Sequence, residues 1–345
     1  MKDKLVTVII PAWNAQRYLE ATLESLLGQS HRNLCILVVD DGSTDSTPAI
    51  LERIHRADPR LQYWTVPNGG PAKARNFALD HLPPETDYVM FLDADDLLLE
   101  DAVAYALAGA EGAELVIFGF AIRQMDGTLL PYCEPEQLLD RSELGASLAR
   151  LYKANLLNQV WAKLFFAALV RDLRFPDYRW GEDRLFLFQA LERAEKLKIL
   201  PECKHRYVMH EGESLITRYY DKKFRVCCEA DEAMERLCEK LGVSEQADFR
   251  YMFAKSVFSC MTTLYARSCR LTRPEKRAVV SQIVNDPRVQ RRCRGCAGGL
   301  PVRLLCAVLR SRLVGLNLFV FMLVAWCGEH LPRLFTRLKH RKQGQ

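Results

Sequence analysis

Residues 34–45 read Leu34-Cys35-Ile36-Leu37-Val38-Val39-Asp40-Asp41-Gly42-Ser43-Thr44-Asp45. The unbroken apolar run predicts a strand over 34–39 buried on both faces, and the acidic, Gly-containing run after it ends that strand in a turn. The same pattern continues on either side. Upstream, Leu5–Ile10 is a short β-rich run closed by Pro11, then Leu19, Leu23, Leu26 and Leu27 recur at helical spacing over 16–27 until Gly28. Downstream, a helix over Thr47–Ala57 presents Ile50, Leu51 and Ile54. A third strand over Leu61–Val66, a third helix over Ala72–Asp80 and a fourth strand over Tyr88–Leu92 follow, with Pro83-Pro84 breaking the chain between the last two. Repeated βα units of this size predict a mostly parallel sheet with right-handed crossovers, whose ligands bind at the carboxyl ends of the strands. Four polar clusters fall there: Pro11–Asn14, Asp40–Asp45, Asn68–Asn76 and Asp93–Asp96.

Each cluster has a ligand reading and a plain one. Asp93-Ala94-Asp95 places two carboxylates where a buried strand stops, and a divalent cation with phosphate oxygens would compensate them. Alternatively, Asp95 or Asp96 caps a helix beginning near Leu97. At Asp40–Asp45, Asp41 can accept the N3–H of a uracil ring while Gly42 admits close backbone approach, or the run is an ordinary Asx-capped turn. Trp13 offers a flat face for a base, or it is a core-edge aromatic. In Asn68–Asn76, glycines and a helix start meet Lys73 and Arg75, which suits a diphosphate; the alternative is a solvated turn.

The run Val8-Ile9-Ile10-Pro11-Ala12-Trp13-Asn14, then VVDDGSTD at 38–45, Asn68-Gly69-Gly70 with Ala74-Arg75-Asn76, and FLDADD at 91–96 resembles a family 2 glycosyltransferase. The resemblance is dense over residues 5–100 and sparser to about residue 220. It implies a GT-A fold: a Rossmann-like mixed α/β sheet flanked by helices, with a C-terminal helical extension. The expected division is a catalytic domain over 1–220 (nucleotide-sugar half 1–105, acceptor half 106–220), a helical extension over 221–298 and a basic amphipathic tail over 299–345. It further implies that Pro11, Trp13 and Asp41 hold the base, with Asp41 on uracil and Asn14 beside them. Lys73 and Arg75 would serve the nucleotide-sugar, Asp93 and Ala94 the ribose or metal region, and Asp95 a Mn²⁺ or Mg²⁺ bridging the diphosphate. The family usually carries tyrosine where Trp13 stands.

Beyond residue 110 the pattern is mixed. Leu115–Ile122 predicts a strand, Met125-Asp126-Gly127-Thr128 a hairpin turn, residues 143–170 and 182–197 helices, and Leu197–Leu200 a short strand. Trp161-Ala162-Lys163-Leu164-Phe165 and Gly181-Glu182-Asp183-Arg184 resemble the family's WxKLF and ED segments. On residue type alone, the adjacent carboxylates are also a helix cap. Within the resemblance Asp183 is the catalytic base that takes the acceptor's hydroxyl proton as it attacks the anomeric carbon, with inversion, and Glu182 is its neighbour and alternative. Tyr207–Ser214 resembles the family's closing loop, in which His210 reaches the metal or diphosphate, or is a surface histidine.

Composition bounds the rest. Residues 271–345 hold 15 Lys/Arg against 3 Asp/Glu, a balance of +12 that leaves −7 for residues 1–270 of a chain whose net charge is +5. Twelve cysteines scattered through apolar runs, with no signal-peptide pattern at the start, predict a reducing, cytoplasmic compartment and free thiols; Cys293-Arg294-Gly295-Cys296 is a lone CxxC. Leu313–Cys327 falls short of a bilayer span. An apolar face flanked by cations fits peripheral association with the anionic inner face of a membrane; a cap on the catalytic domain or a homodimer interface is the other reading. Aromatic platforms for nucleic acid are not evident. The sequence thus predicts a metal-dependent transferase moving a sugar from a UDP-sugar to a glycan or lipid-linked hydroxyl in cell-surface polysaccharide synthesis. The competing reading is a catalytically inactive nucleotide-sugar-binding or membrane-associated partner. Retention of both Asp95 and Glu182-Asp183 counts against it, since a binding module needs no base.

Overall fold

The computed structural model describes residues 4–210, 217–244, 247–296 and 298–330. The first hundred residues form β1 (Val6–Ala12), α1 (Leu19–Leu27), β2 (Leu34–Asp40), α2 (Thr47–Ala57), β3 (Leu61–Thr65), α3 (Pro71–Asp80) and β4 (Tyr88–Phe91). The four strands are parallel in the order β3-β2-β1-β4, and β1 and β2 are almost wholly buried, as their unbroken apolar runs require. Pro11 does not close β1. The Ile9 carbonyl accepts from the Leu92 amide at 3.1 Å, so Ile9 and Pro11 turn their backbone polar groups toward β4. That strand ends at Phe91, opposite Ile9, and the missing N–H of Pro11 therefore breaks no ladder bond.

The second half supplies β5 (Leu97–Leu98), α4 (Ala102–Ala108), β6 (Leu115–Arg123), β7 (Leu129–Tyr132), β8 (Gln137–Asp140), α5 (Arg141–Lys153), β9 (Lys163–Phe166), α6 (Ala167–Val170), α7 (Glu182–Arg193) and β10 (Lys196–Val208). The helix expected over 143–170 ends at Lys153, and Lys163-Leu164-Phe165-Phe166 is instead a strand. A short apolar run carries no decisive period. Here the open side of β4 decides, because β9 inserts antiparallel between β4 and β6. The strand expected over 197–200 runs thirteen residues, since β10 finds partners along its whole length: β6 in parallel, β8 and β5 antiparallel. The result is one sheet ordered β3-β2-β1-β4-β9-β6-β10-β5, with β7 beside β6 and β8 beside β10. It is a mixed α/β sheet whose parallel half carries the four polar clusters.

The chain divides into two compact units, residues 1–211 with 232–244, and residues 212–231 with 245–345. The sheet lies in the first. The second is helical: the start of α8 (Lys223–Lys240), α9 (Ala247–Thr263), α10 (Arg273–Asn285), α11 (Pro287–Arg292), α12 (Leu300–Arg310) and α13 (Val314–His330). Its fully buried Arg292 is paired with Asp231 at 2.9 Å. No disulfide joins the cysteines among the described residues, and Cys293 and Cys296 are buried within this unit.

Candidate active site

The loops after β1, β2 and β3 are stitched together at the rim by their own polar residues. Asn14, in a left-handed conformation (φ 48°), accepts the Thr44 amide on Oδ1 at 2.8 Å and donates its own amide to Ser43 Oγ at 2.8 Å. Ala15 and Gln16 donate to Thr47 Oγ1 and Asp45 Oδ2, which ties the start of α1 to the start of α2. The Asp41 carboxylate accepts from the Gly69 amide at 2.6 Å, the Gly70 amide at 2.8 Å and Asn68 Nδ2 at 3.1 Å. It is only 4 % exposed. Asn14 and Asp41, expected to contact the nucleotide directly, thus hold the loops that would surround it.

Gly42 is needed for the same reason. Its φ is +69°, and a Cβ there would stand 2.9 Å from the Asn68 backbone nitrogen. The close approach read from the sequence is therefore to the chain's own backbone, not to a ligand. Gly42→Ala is expected to lower unfolding stability by about 1–3 kcal/mol. Urea denaturation measures it, and a change of a few tenths would show that the turn relaxes without strain.

Arg75 is the centre of the site. Its guanidinium, 3 % exposed, donates Nη1 to Glu182 Oε1 at 2.9 Å and to Asp183 Oδ1 at 2.8 Å, and Nη2 to Asp93 Oδ1 at 2.8 Å. Phe175 lies under its plane, 5.4 Å from the ring centre. Arg75 projects from α3, Asp93 follows β4, and the Glu182-Asp183 pair opens α7 after the left-handed Gly181. The expectation that Arg75 serves a phosphate is corrected: three buried or half-buried carboxylates already hold its cation. Burial pushes the Asp183 carboxyl well above its ordinary value, Glu182 and Asp93 add to the push, and Arg75 opposes it. Lys163, from the WxKLF segment, is wholly buried with Nζ donating to the Trp161 carbonyl at 3.3 Å; burial pushes its pKa down to about 7, against the pull of Asp183.

Asp93 to Asp96 make a turn, closed by the Asp96 amide on the Asp93 carbonyl at 3.2 Å, and no helix starts at Leu97. The capping alternative therefore falls away for this cluster. Ala94 is buried, its carbonyl accepting Thr22 Oγ1 at 3.0 Å. Asp96 is fully buried against His205 Nε2 at 2.9 Å and accepts the Val208 amide at 3.1 Å. His205 stacks on Trp161 with ring centres 4.4 Å apart, and burial pushes its pKa down to about 3. This pair fastens the end of β10 to the FLDADD turn across 109 residues, and no local pattern in the sequence announces it.

The fastening brings His210 to Asp95. His210 Nε2 and Asp95 Oδ2 lie 3.6 Å apart, and the His210 ring stacks on Tyr18 at 3.8 Å. Nε2 is buried with no hydrogen-bond partner, while the Asp95 carboxylate is raised to about 7 by burial and by Asp93 and Asp96. An orphaned imidazole nitrogen beside a crowded carboxylate suits a divalent cation that takes its other ligands from phosphate oxygens and water. Among the described residues no group of three or more His, Cys, Asp or Glu could hold a metal by itself.

Around this centre, Trp13 is 52 % exposed, a flat ring free of the core, and Pro11 is half-buried. Lys73 is exposed and reaches Asp177 Oδ2 at 3.4 Å. Arg179, which sequence reasoning missed, donates to Asn68 Oδ1 at 3.3 Å and packs its stem on Gly70. The closing-loop residues 211–214 lie outside the described residues.

Four polar strand ends, a glycine loop at a helix start and a paired carboxylate meet on a mixed sheet of GT-A type. Residues 7–167 match the family model described as glycosyl transferase family 2. The chain is 28 % identical over 231 residues to glycosyltransferase GlyA of Streptococcus pneumoniae, covering 64 % of this chain and 33 % of that protein. To the uncharacterized glycosyltransferase EpsJ of Bacillus subtilis it is 27 % identical over 220 residues, 62 % of this chain and 63 % of that one. The chain thus spans about a third and just under two thirds of the length of these relatives. Its fold is similar to that of residues 1–349 of TarS from S. aureus, solved in complex with UDP-GlcNAc, with a TM-score of 0.65 and 19 % identity over 94 % of this chain and 91 % of that one.

Proposed function

We propose that the protein is an inverting, metal-dependent glycosyltransferase that moves a sugar from a UDP-sugar to a hydroxyl of a glycan or lipid-linked acceptor in cell-surface polysaccharide synthesis. The observation that carries this reading is the Arg75 bridge, which joins Asp93 to Glu182 and Asp183 inside one cleft. A binding module has no use for a buried carboxylate pair held at an acceptor-facing helix start. The UDP-GlcNAc complex of TarS supports a UDP-sugar donor. In this reading the basic segment over 299–345 keeps the enzyme peripherally at the cytoplasmic, anionic face of a membrane; its part from 331 onward lies outside the described residues.

The mechanism follows from the residues. Trp13 stacks on the base, and Asp41 holds the 68–70 loop that surrounds it. Asp183 accepts the proton of the acceptor hydroxyl as its oxygen attacks the anomeric carbon. The nucleotide leaves from the opposite face, so the configuration inverts and no sugar is bound covalently to the enzyme. Arg75 keeps Asp183 oriented and restrains its raised basicity. Glu182 shares the same guanidinium and fixes its position. Asp95 and His210 would hold Mn²⁺ or Mg²⁺, which when bound supplies charge stabilisation for the departing diphosphate.

The test is a melting shift with UDP, with and without Mn²⁺, in the wild type and Asp95→Asn. At 100 times its dissociation constant a ligand stabilises the fold by about 2.7 kcal/mol. The expected result is a metal-enhanced shift in the wild type that loses its metal dependence in Asp95→Asn. A shift with GDP and none with UDP would overturn the donor, and no shift with any nucleotide would overturn the reading.

A further inference from the structure

The second unit carries a surface that the catalytic reading does not use. Along α13, Leu316, Phe319, Leu323 and Trp326 recur on one face and are all exposed, Phe319 at 56 % and Trp326 at 50 %. The opposite face is anchored. Asn317 and Phe321 are buried, Asn317 Nδ2 donates to the Val308 and Leu313 carbonyls at 2.9 and 3.0 Å, and Tyr265 donates to the Leu318 carbonyl at 2.5 Å. The stripe is therefore held outward by packing within its own unit and is not a frayed end. Four or five large apolar side chains in one exposed row are unusual on a surface that faces only water.

Cations border it. Arg303, Arg310 and Arg312 are exposed on α12 and at the corner between α12 and α13. Arg312 also lines an open cavity of about 400 Å³ whose other walls are Arg250, Pro287, Gln290, Arg291 and Arg294. Among the described residues four guanidiniums line that space, which suits a phosphate-bearing headgroup. Over residues 300–345 the sequence holds eight Lys/Arg and a single acidic residue, Glu329.

We propose that the α12–α13 corner is a docking surface for an anionic lipid bilayer. The α13 stripe enters the boundary between headgroups and acyl chains, and the arginine cavity takes a lipid phosphate. Charge selects this occupant over a second copy docked through the same face, because that copy would bring the same positive surface to the contact. Helix geometry agrees: α13 has seventeen residues, and no helix among the described residues is long and apolar enough to cross a membrane. The face that carries Asn317 and Phe321 stays packed within its own unit, so the helix offers its exposed stripe to the boundary rather than spanning it. The inference rests on the peripheral attachment proposed above and specifies its surface. It makes no use of turnover, so it and the transferase reading can fail separately.

The experiment is flotation of the full chain with vesicles of phosphatidylcholine alone and of equimolar phosphatidylcholine and phosphatidylglycerol, with oligomeric state followed by light scattering. Binding is expected only to the anionic vesicles, and it should fall as salt is raised. Replacing Arg291, Arg294 and Arg312 together by Gln should weaken it by about 100-fold. Phe319→Ser with Trp326→Ser should weaken it comparably, with the UDP melting shift of both variants unchanged as the control for folding. Equal binding to neutral vesicles would overturn the proposal. So would absence of vesicle binding together with saturable binding of inorganic phosphate in the cavity, or a dimer that the Phe319/Trp326 variant dissolves while vesicle binding is unaffected.

Discussion

Arg75→Met is expected to cost about 3–5 kcal/mol of unfolding stability, because it leaves Asp93, Glu182 and Asp183 facing one another without their shared cation. Turnover should fall by about 100-fold or more, since a base displaced by about 1 Å loses that much. The pH profile separates the two effects. Burial already pushes the Asp183 carboxyl above its usual range, and Arg75 opposes that push. Removing the cation therefore moves the acidic limb of kcat/KM to higher pH, whereas a merely looser fold lowers the plateau and leaves the limb in place. Arg75→Lys keeps a point charge but loses the planar fork that serves three carboxylates, so it should fall between the two. Urea unfolding and a pH-resolved rate series are the measurements. A variant within about 0.5 kcal/mol of the wild type, with an unmoved limb, would show that the bridge holds neither the fold nor the base.

Asp183→Asn is expected to lower kcat by about 10²- to 10⁴-fold, the usual contribution of a positioned general base. The amide keeps the shape and one acceptor for Arg75 Nη1, so the UDP melting shift should be retained. Stability should hold or rise slightly, because a buried carboxylate that crowds Glu182 and Asp93 has been made neutral. Glu182→Gln is the comparison. If it silences turnover while Asp183→Asn turns over normally, the base is Glu182, which is 5 % exposed and shares the same guanidinium. Single-turnover rates at saturating donor give the answer free of product release.

Much of the parallel half is legible in the chain because its strands are unbroken apolar runs and its helices show a clear period. Thr47–Ala57 is the predicted helix to the residue, and β2, β3, α3 and β4 depart from expectation by a residue. The rest of the sheet reads less well. Leu164-Phe165-Phe166 carries no period that separates strand from helix, and the vacant side of β4 makes it β9. Lys204-His205-Arg206 lies beyond the strand expected over 197–200, yet β6 and β5 on either side draw it into β10.

The same division holds within the site. Sequence alone determined which residue types stand at the strand ends, because acid, glycine and tryptophan interrupt apolar runs at regular intervals and that order carries the family. Tertiary structure decided what each of them touches. Asn14, Asp41 and Gly42 suggest ligand contacts by residue type, and in the fold they are the struts between loops, each reaching the loop after the neighbouring strand. Arg75 and Asp93 are 18 residues apart, and Arg75 and Glu182 are 107 apart. Spacing along the chain says nothing of a guanidinium buried among three carboxylates. Only a sheet that closes β4 against β9 brings those charges within hydrogen-bond distance, and their mutual compensation is what allows them to be buried there at all.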